Sequence, residues 1–169
     1  MKLRGYTMLV LVVFFVQVFV LNNLTISPLV APMVYITLLL LLPIEYSQWK
    51  MLVAGALLGF IMDVTMGTAG LNMLVTMPIA IFRRPLLSVL GGVSSISKEE
   101  GIPSRRRLGV RFHRYFIIMV VLHSLLFYFA EWLSFDNLSV LVVRIVCSTI
   151  CSLVLDYIII SLFTKRLSA

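Results

Sequence analysis

Charged side chains are scarce in this sequence. Asp, Glu, Lys and Arg make up 12% of the 169 residues, and only seven residues are acidic. Hydrophobic residues make up 61%, and the mean hydropathy is +1.08. A water-soluble domain of this size has too small an interior to bury so much apolar surface. The composition therefore excludes a soluble globular protein and predicts an integral membrane protein.

Residues that bind metals or carry out catalysis are also few. The two cysteines, Cys147 and Cys151, lie four apart in an apolar run, and the two histidines, His113 and His123, are far from them. This pattern matches neither a zinc site nor a disulfide framework. The sequence also lacks a Gly-x-Ser-x-Gly motif, a phosphate-binding loop, a His-Glu-x-x-His motif and a close pair of carboxylates. We expect no cofactor, no metal and no enzymatic activity.

Apolar segments predict an all-α polytopic membrane protein that forms a single domain. The predicted transmembrane helices cover about 6–24, 29–43, 49–66, 71–90, 115–133 and 138–163. The second segment is shorter than the roughly 20 residues that a helix needs to cross a bilayer, so its full crossing stays open. Pro28 and Pro32 suit its first turn. A basic, polar segment, 91–114, is predicted to be a cytoplasmic loop.

The basic residues predict the orientation of this six-helix bundle. Of the 14 Lys and Arg residues, all except Arg144 fall at the two ends of the chain, in the connections on one side or within the span ends that adjoin those connections. The turns on the other side, near Asn22, Gly67 and Asp136, carry none. Cytoplasmic segments are enriched in Lys and Arg. Both termini are therefore predicted to be cytoplasmic.

A stripe of small residues marks the third span. Gly55, Gly59, Asp63 and Gly67 recur every fourth residue, so they share one helix face, and Gly67 and Gly70 are expected to end the helix in a turn. Glycines allow a second helix to approach closely, whereas a carboxylate in a membrane needs a polar partner. The stripe predicts either a tightly packed helix pair in which Asp63 caps the turn, or a surface that binds a partner protein.

Four further polar residues lie within predicted spans: His123, Glu131, Arg144 and Asp156. We expect an ion pair between Asp63 and Arg144, and we expect His123 to be a hydrogen-bonding strut. Asp156 fits either an interhelical hydrogen bond or a proton site. The small and polar residues of the sixth span, Ser148 and Ser152 among them, share half of its circumference, which is typical of helix–helix packing.

Basic residues are concentrated in the loop before the fifth span: Arg105, Arg106, Arg107, Arg111 and Arg114. Anionic lipid headgroups attract such clusters by about 1 kcal/mol per charge. A role in setting topology, or a cytoplasmic protein partner, would also account for them. Nucleic acid is not expected at a segment held against a bilayer.

The string GALLGFIMDVTMGTAGLNML, residues 55–74, resembles the corresponding part of the MreD family, whose members are rod shape-determining membrane proteins of bacteria. The chain length, six short spans and basic inner segments resemble that family too. The long basic loop, with His and Glu in the fifth span, is similar to the form in Bacteroides-type bacteria.

The resemblance implies a subunit of the cell-elongation machinery in the inner membrane. Such a protein binds MreC and helps to regulate peptidoglycan synthesis together with MreB, RodA and a penicillin-binding transpeptidase. The family is also similar to the S-components of vitamin transporters, which implies six helices around an outward cavity. A scaffold therefore competes with a small-molecule-binding subunit, in which Asp63, Glu131 and Arg144 would line the cavity. The sequence leaves homo-oligomerisation open.

Overall fold

The computed structural model describes residues 3–23, 30–91, 103, 108–132 and 137–167. All secondary-structure elements in these residues are helices, apart from a single bridge residue at Val30. The all-α class is therefore confirmed. The elements are α1 (Leu3–Phe15) with a π-helical turn at Val16–Leu21, α2 (Ile36–Leu40), α3 (Gln48–Met66), α4 (Leu71–Gly91), α5 (Val110–Glu131) and α6 (Leu138–Leu167).

Four of these helices, α3 to α6, are long and apolar enough to cross a membrane. Helix α1 and its π turn form a shorter apolar helix over Tyr6–Leu21. The described part of the chain therefore has the character of a membrane protein. The predicted bounds of the third and fourth spans agree with α3 and α4 to within a residue.

Helix α5 begins at Val110, five residues before the predicted start. The predicted loop 91–114 was therefore wrong at its end. Arg111 and Arg114, which fall in the predicted loop, lie in the first turns of the helix. Arginine is a good helix former, so its charge alone does not mark the helix boundary.

The second predicted span, 29–43, is not a continuous helix. Only Ile36–Leu40 is helical, and residues 31–34, here called the extended segment, have no helical turn. Pro32 disfavours the helical conformation at Ala31, and it has no N–H to donate. The β-branched Val34 adds to the local preference for extended backbone.

The chain divides into two compact units. The terminal unit consists of residues 1–36 and 120–169, and it contains α1, the extended segment, the second half of α5 and α6. The central unit consists of residues 37–119, and it contains α2, α3, α4 and the first half of α5.

Helices α3 and α4 form a tightly packed antiparallel hairpin. The Thr76 hydroxyl of α4 donates a hydrogen bond to the carbonyl oxygen of Gly55 at 2.8 Å. Ser47 caps the start of α3, and Gly67 ends it in the left-handed conformation, with φ +67°. Such a residue lets the chain reverse direction without the strain that a Cβ would bring.

The two prolines within α4, Pro78 and Pro85, do not end the helix. Pro85 has no N–H to donate to the carbonyl of Ile81, four residues earlier. The side-chain amide of Gln48, on α3, donates to that carbonyl at 3.0 Å instead. A neighbouring helix thus satisfies the carbonyl oxygen that proline leaves without its usual partner.

Candidate functional site

The extended segment of the terminal unit is held by hydroxyl groups of α6. Ser148 Oγ accepts a hydrogen bond from the N–H of Ala31 at 3.1 Å, and Ser152 Oγ accepts one from the N–H of Met33 at 2.8 Å. Two residues of extended chain advance by about 6.6 Å. Four residues of helix advance by about 6.0 Å. Serines four apart on α6 therefore match alternate N–H groups of the segment.

Gln17, in the π-helical turn after α1, holds the opposite edge of the segment. Its Oε1 accepts from the N–H of Val34 at 2.7 Å, and its Nε2 donates to the carbonyl oxygen of Pro32 at 3.4 Å. These two groups flank Met33, so the amide pairs with the backbone as a residue of a parallel strand would. Turns of π-helix are rare and often occur at functional positions.

Two tyrosine hydroxyls form further hydrogen bonds in and next to the extended segment. The Tyr128 hydroxyl of α5 donates to the carbonyl oxygen of Ala31. The Tyr35 hydroxyl and His123 Nε2 lie 2.9 Å apart, and both side chains are buried. The structure thus places His123 in a hydrogen bond to the residue that follows the extended segment.

Every N–H group between residues 31 and 34 therefore has a side-chain acceptor, since Pro32 has none to offer. Irregular backbone is stable inside a membrane protein only when its polar groups are satisfied in this way. Helix–helix packing was the role predicted for the two serines, and no role was predicted for Gln17. The available signal was Gln17 itself, a strongly polar side chain within the apolar first span.

Asp63, at the end of α3, forms the polar centre of the central unit and is 7% exposed. Its carboxylate accepts hydrogen bonds from Thr68 Oγ1 at 2.6 Å, from the N–H of Asn72 at 2.8 Å and from the N–H of Met73 at 2.9 Å. The Asn72 side-chain amide also donates to it, at 3.1 Å. The first N–H groups of a helix have no partner within that helix. Asp63 therefore caps α4, as one of the two interpretations of the stripe requires.

The glycine stripe faces α4 of the same chain. A Cβ added at Gly59 would lie 2.4 Å from Met73 Cα, and one added at Gly55 would lie 3.0 Å from Ala80 Cβ. Gly67 and Gly70 lie in the following turn, where nothing is within 4 Å of an added Cβ. The face formed by Gly55, Gly59 and Asp63 is thus occupied within the chain and is not a surface for a partner.

Asp63 and Arg144, which were expected to form an ion pair, each have other partners within their own unit. Arg144 Nη2 lies 3.2 Å from Glu131 Oε2, and the two side chains are 22% and 37% exposed. The Arg144 guanidinium also lies over the Tyr128 ring, 5.4 Å from its centre.

Asp156 is fully buried on α6, one helical turn beyond Ser152 and on the same face.

Arg83 is buried in the central unit, only 1% exposed. Its guanidinium donates to the carbonyl oxygens of Leu42 and of Pro43, the latter at 3.4 Å. The Tyr115 hydroxyl donates to the carbonyl oxygen of Leu40 at 3.3 Å. These carbonyls lie at and just beyond the end of α2, where helical partners run out. The sequence pattern indicates Arg83 only as one of the basic residues on the predicted cytoplasmic side.

The predicted basic cluster is described in part. Arg105, Arg106 and Arg107 lie outside the described residues. Arg111 and Arg114 are exposed on the first turns of α5.

No group of three or more His, Cys, Asp or Glu side chains in the described part of the chain could hold a metal ion. No family model, no curated protein and no solved structure matches the chain.

Proposed function

We propose that this chain is a non-enzymatic scaffold subunit of the bacterial cell-elongation machinery in the inner membrane. It would bind MreC and help to regulate peptidoglycan synthesis and rod shape, together with MreB, RodA and a penicillin-binding transpeptidase. The proposal rests on the resemblance of residues 55–74 to the MreD family.

One observation supports a scaffold above the alternatives. The string that carries the resemblance folds as one unit, in which Gly55 and Gly59 pack against α4 and Asp63 caps it. Its small and polar residues thus fix the geometry of a helix hairpin. The outward side chains of α3, such as Leu57 and Phe60, are apolar and exposed. A rigid hairpin with an apolar outer face suits lateral contacts within a membrane.

The proposed topology has six membrane-embedded segments and both termini in the cytoplasm. Helices α3 to α6 supply four of them. The other two are α1 with its π turn, and the stretch from the extended segment through α2, whose side chains are nearly all buried. Anionic lipids at the cytoplasmic face are proposed partners of the basic residues.

A vitamin-transporter S-component is the alternative. It would need Asp63, Glu131 and Arg144 to face a ligand. The Asp63 carboxylate instead accepts four hydrogen bonds within the α3–α4 hairpin, and Arg144 pairs with Glu131. These contacts favour the scaffold.

The test is an affinity purification of the tagged full-length protein from its native membranes in mild detergent, with mass spectrometry of the bound proteins. An unrelated polytopic protein with the same tag is the control. Specific recovery of MreC or of cell-wall synthases would support the scaffold. Recovery of an ATPase module, or of a bound vitamin-like molecule, would replace it with the transporter.

A further inference from the structure

One end of the central unit carries a group of exposed basic side chains from three helices. They are Lys50 in the first turn of α3, Arg84 in α4, and Arg111 and Arg114 in the first turns of α5. We call these four residues the basic end.

Contacts around buried residues bring these helix ends together. Gln48 of α3 bonds to the carbonyl oxygen of Ile81 in α4 at 3.0 Å. Arg83 Nη1 of α4 lies 3.5 Å from the sulfur of Met51 in α3. Arg83 and Tyr115 of α5 both donate to carbonyl oxygens at the end of α2, Arg83 to those of Leu42 and Pro43 and Tyr115 to that of Leu40 at 3.3 Å. Each residue of the basic end is within four positions of one of these contacts.

The opposite end of the α3–α4 hairpin has no basic residue. Its turn runs through Gly67, Thr68, Ala69 and Gly70, next to the carboxylate of Asp63. Because α3 has 19 residues, about 28 Å separates its two ends. The positive charge of the hairpin is therefore concentrated on one side.

Exposed apolar and aromatic side chains adjoin the basic end. Trp49, next to Lys50, is 76% exposed, and Phe82 and Val110 are also exposed. Tryptophan is enriched where a membrane meets water. A surface that combines cations, an interfacial tryptophan and apolar side chains matches a phospholipid, which has a charged headgroup joined to acyl chains. A soluble anion would make no use of the apolar part.

We propose that the basic end binds the phosphate headgroups of anionic phospholipids. Guanidinium groups of Arg84 and Arg111 would donate paired hydrogen bonds to phosphate oxygens, and Trp49 would lie at the level of the glycerol backbone. The inference rests on the membrane location given above, and it identifies the surface that selects the lipid. It does not depend on the identity of the protein partners.

Trp49 provides the reporter for the test. The sequence has one other tryptophan, Trp132, so the full-length Trp132→Phe protein leaves Trp49 as the only fluorescent tryptophan. This protein is reconstituted into phosphatidylcholine vesicles that contain either brominated phosphatidylglycerol or brominated phosphatidylcholine. Bromine quenches tryptophan fluorescence on contact. Preferential quenching by phosphatidylglycerol is expected. A charge near an anionic surface contributes a factor of about five to binding. Arg84→Gln with Arg111→Gln should therefore abolish most of the preference.

Two matched variants keep the test specific. Lys50→Gln with Arg114→Gln removes the same charge from the same surface and should also reduce the preference. Arg84→Lys with Arg111→Lys keeps both charges on the same surface and should keep more of the preference than the Gln pair. Equal quenching by the two lipids, or an equal loss in the Lys variant that keeps both charges, would overturn the proposal.

Further outcomes distinguish binding of phospholipid from binding of soluble anions, and both from a failure of the membrane location. Excess inorganic phosphate should not abolish the preference, and if it does, the surface binds soluble anions and the lipid proposal fails. Absence of quenching by either lipid would instead contradict the membrane location itself. Failure to recover MreC in the affinity purification would leave the lipid result intact.

Discussion

The hydroxyl of Ser152 accepts a hydrogen bond from the backbone N–H of Met33 at 2.8 Å, although the two residues are 119 positions apart. The contact connects α6 to backbone that forms no helix. Without such an acceptor, a buried N–H would lose its water partner and gain nothing in return. The irregular course of the chain before α2 thus depends on side chains contributed by distant helices.

Replacing Ser152 by Ala should destabilise the protein by about 1–2 kcal/mol, because the Met33 N–H loses its acceptor. Ser161→Ala is the control on the same helix, since the Ser161 hydroxyl is exposed and bonds to the Ile158 carbonyl one turn earlier on the same helix. Thermal unfolding in detergent measures both variants. Equal stability of the two would show that the Ser152 contact contributes little.

The glycines of α3 should differ in their tolerance of Ala. At Gly59 the added Cβ would meet the backbone of Met73 at 2.4 Å, so the helices must separate, at a cost of about 1–3 kcal/mol. At Gly55 the nearest atom, Ala80 Cβ, lies at 3.0 Å, and a smaller cost is expected. Denaturant titration in micelles compares the two. A Gly55→Ala variant that is less stable than Gly59→Ala would contradict this packing.

The α3–α4 hairpin was predictable because its determinants are local. The spacing of Gly55, Gly59 and Asp63 shows on the sequence itself, and the turn at Gly67 follows at once. The extended segment was not predictable in the same way. Its hydrogen-bond partners, Gln17 and the two serines of α6, are between 15 and 119 positions away. A periodicity analysis of one segment cannot detect such partners.

In the candidate site, too, contacts between residues close in the sequence could be predicted, whereas contacts between distant residues could not. Capping by Asp63 was one of two stated interpretations, and its donors lie within ten positions. The Asp63–Arg144 pair was expected from a count of residues along two helices, and such a count gives depth in the membrane but not which side chains lie close enough to bond. The same count of residues also places Glu131 within reach of Arg144, and the two side chains lie 3.2 Å apart.

Asp63→Asn should be less stable than the parent protein but more stable than Asp63→Ala. All four contacts of this carboxylate come from donors, so the amide of Asn can keep those at one oxygen only, and its NH₂ group then faces a donor. Ala would leave all of them without an acceptor. Losses of about 1–3 kcal/mol are expected. Thermal unfolding gives the order of stability of the three proteins. If Asp63→Asn is as stable as the parent protein, the hydrogen bonds to the second carboxylate oxygen contribute nothing.

The two residues of the Arg144–Glu131 pair should contribute unequally to the free energy of unfolding. Glu131→Gln should cost less than about 1 kcal/mol, since the pair is partly exposed and screened. Arg144→Gln should cost more, because it also removes the cation over the Tyr128 ring. A double-mutant cycle on unfolding free energies separates the two effects. Equal losses from the two single variants would contradict a contribution from the ring contact.

Arg83 and Arg84 are neighbours in sequence with opposite environments, and their variants should separate stability from lipid selection. Arg83 is buried and donates to the carbonyls beyond α2, so Arg83→Gln should cost about 1.5–3 kcal/mol, the range for hydrogen bonds to charged groups. Arg84 is exposed, so Arg84→Gln should change stability by less than about 0.5 kcal/mol.

Arg83→Lys completes this comparison. An ammonium keeps the charge and can bond one carbonyl, but it lacks the planar fork that lets a guanidinium donate to the carbonyls of both Leu42 and Pro43. Its stability should therefore lie between those of the parent and Arg83→Gln. If instead Arg83→Lys equals the parent, charge near the end of α2 is sufficient. If Arg84→Gln destabilises as much as Arg83→Gln, the environments assigned to these two residues are wrong.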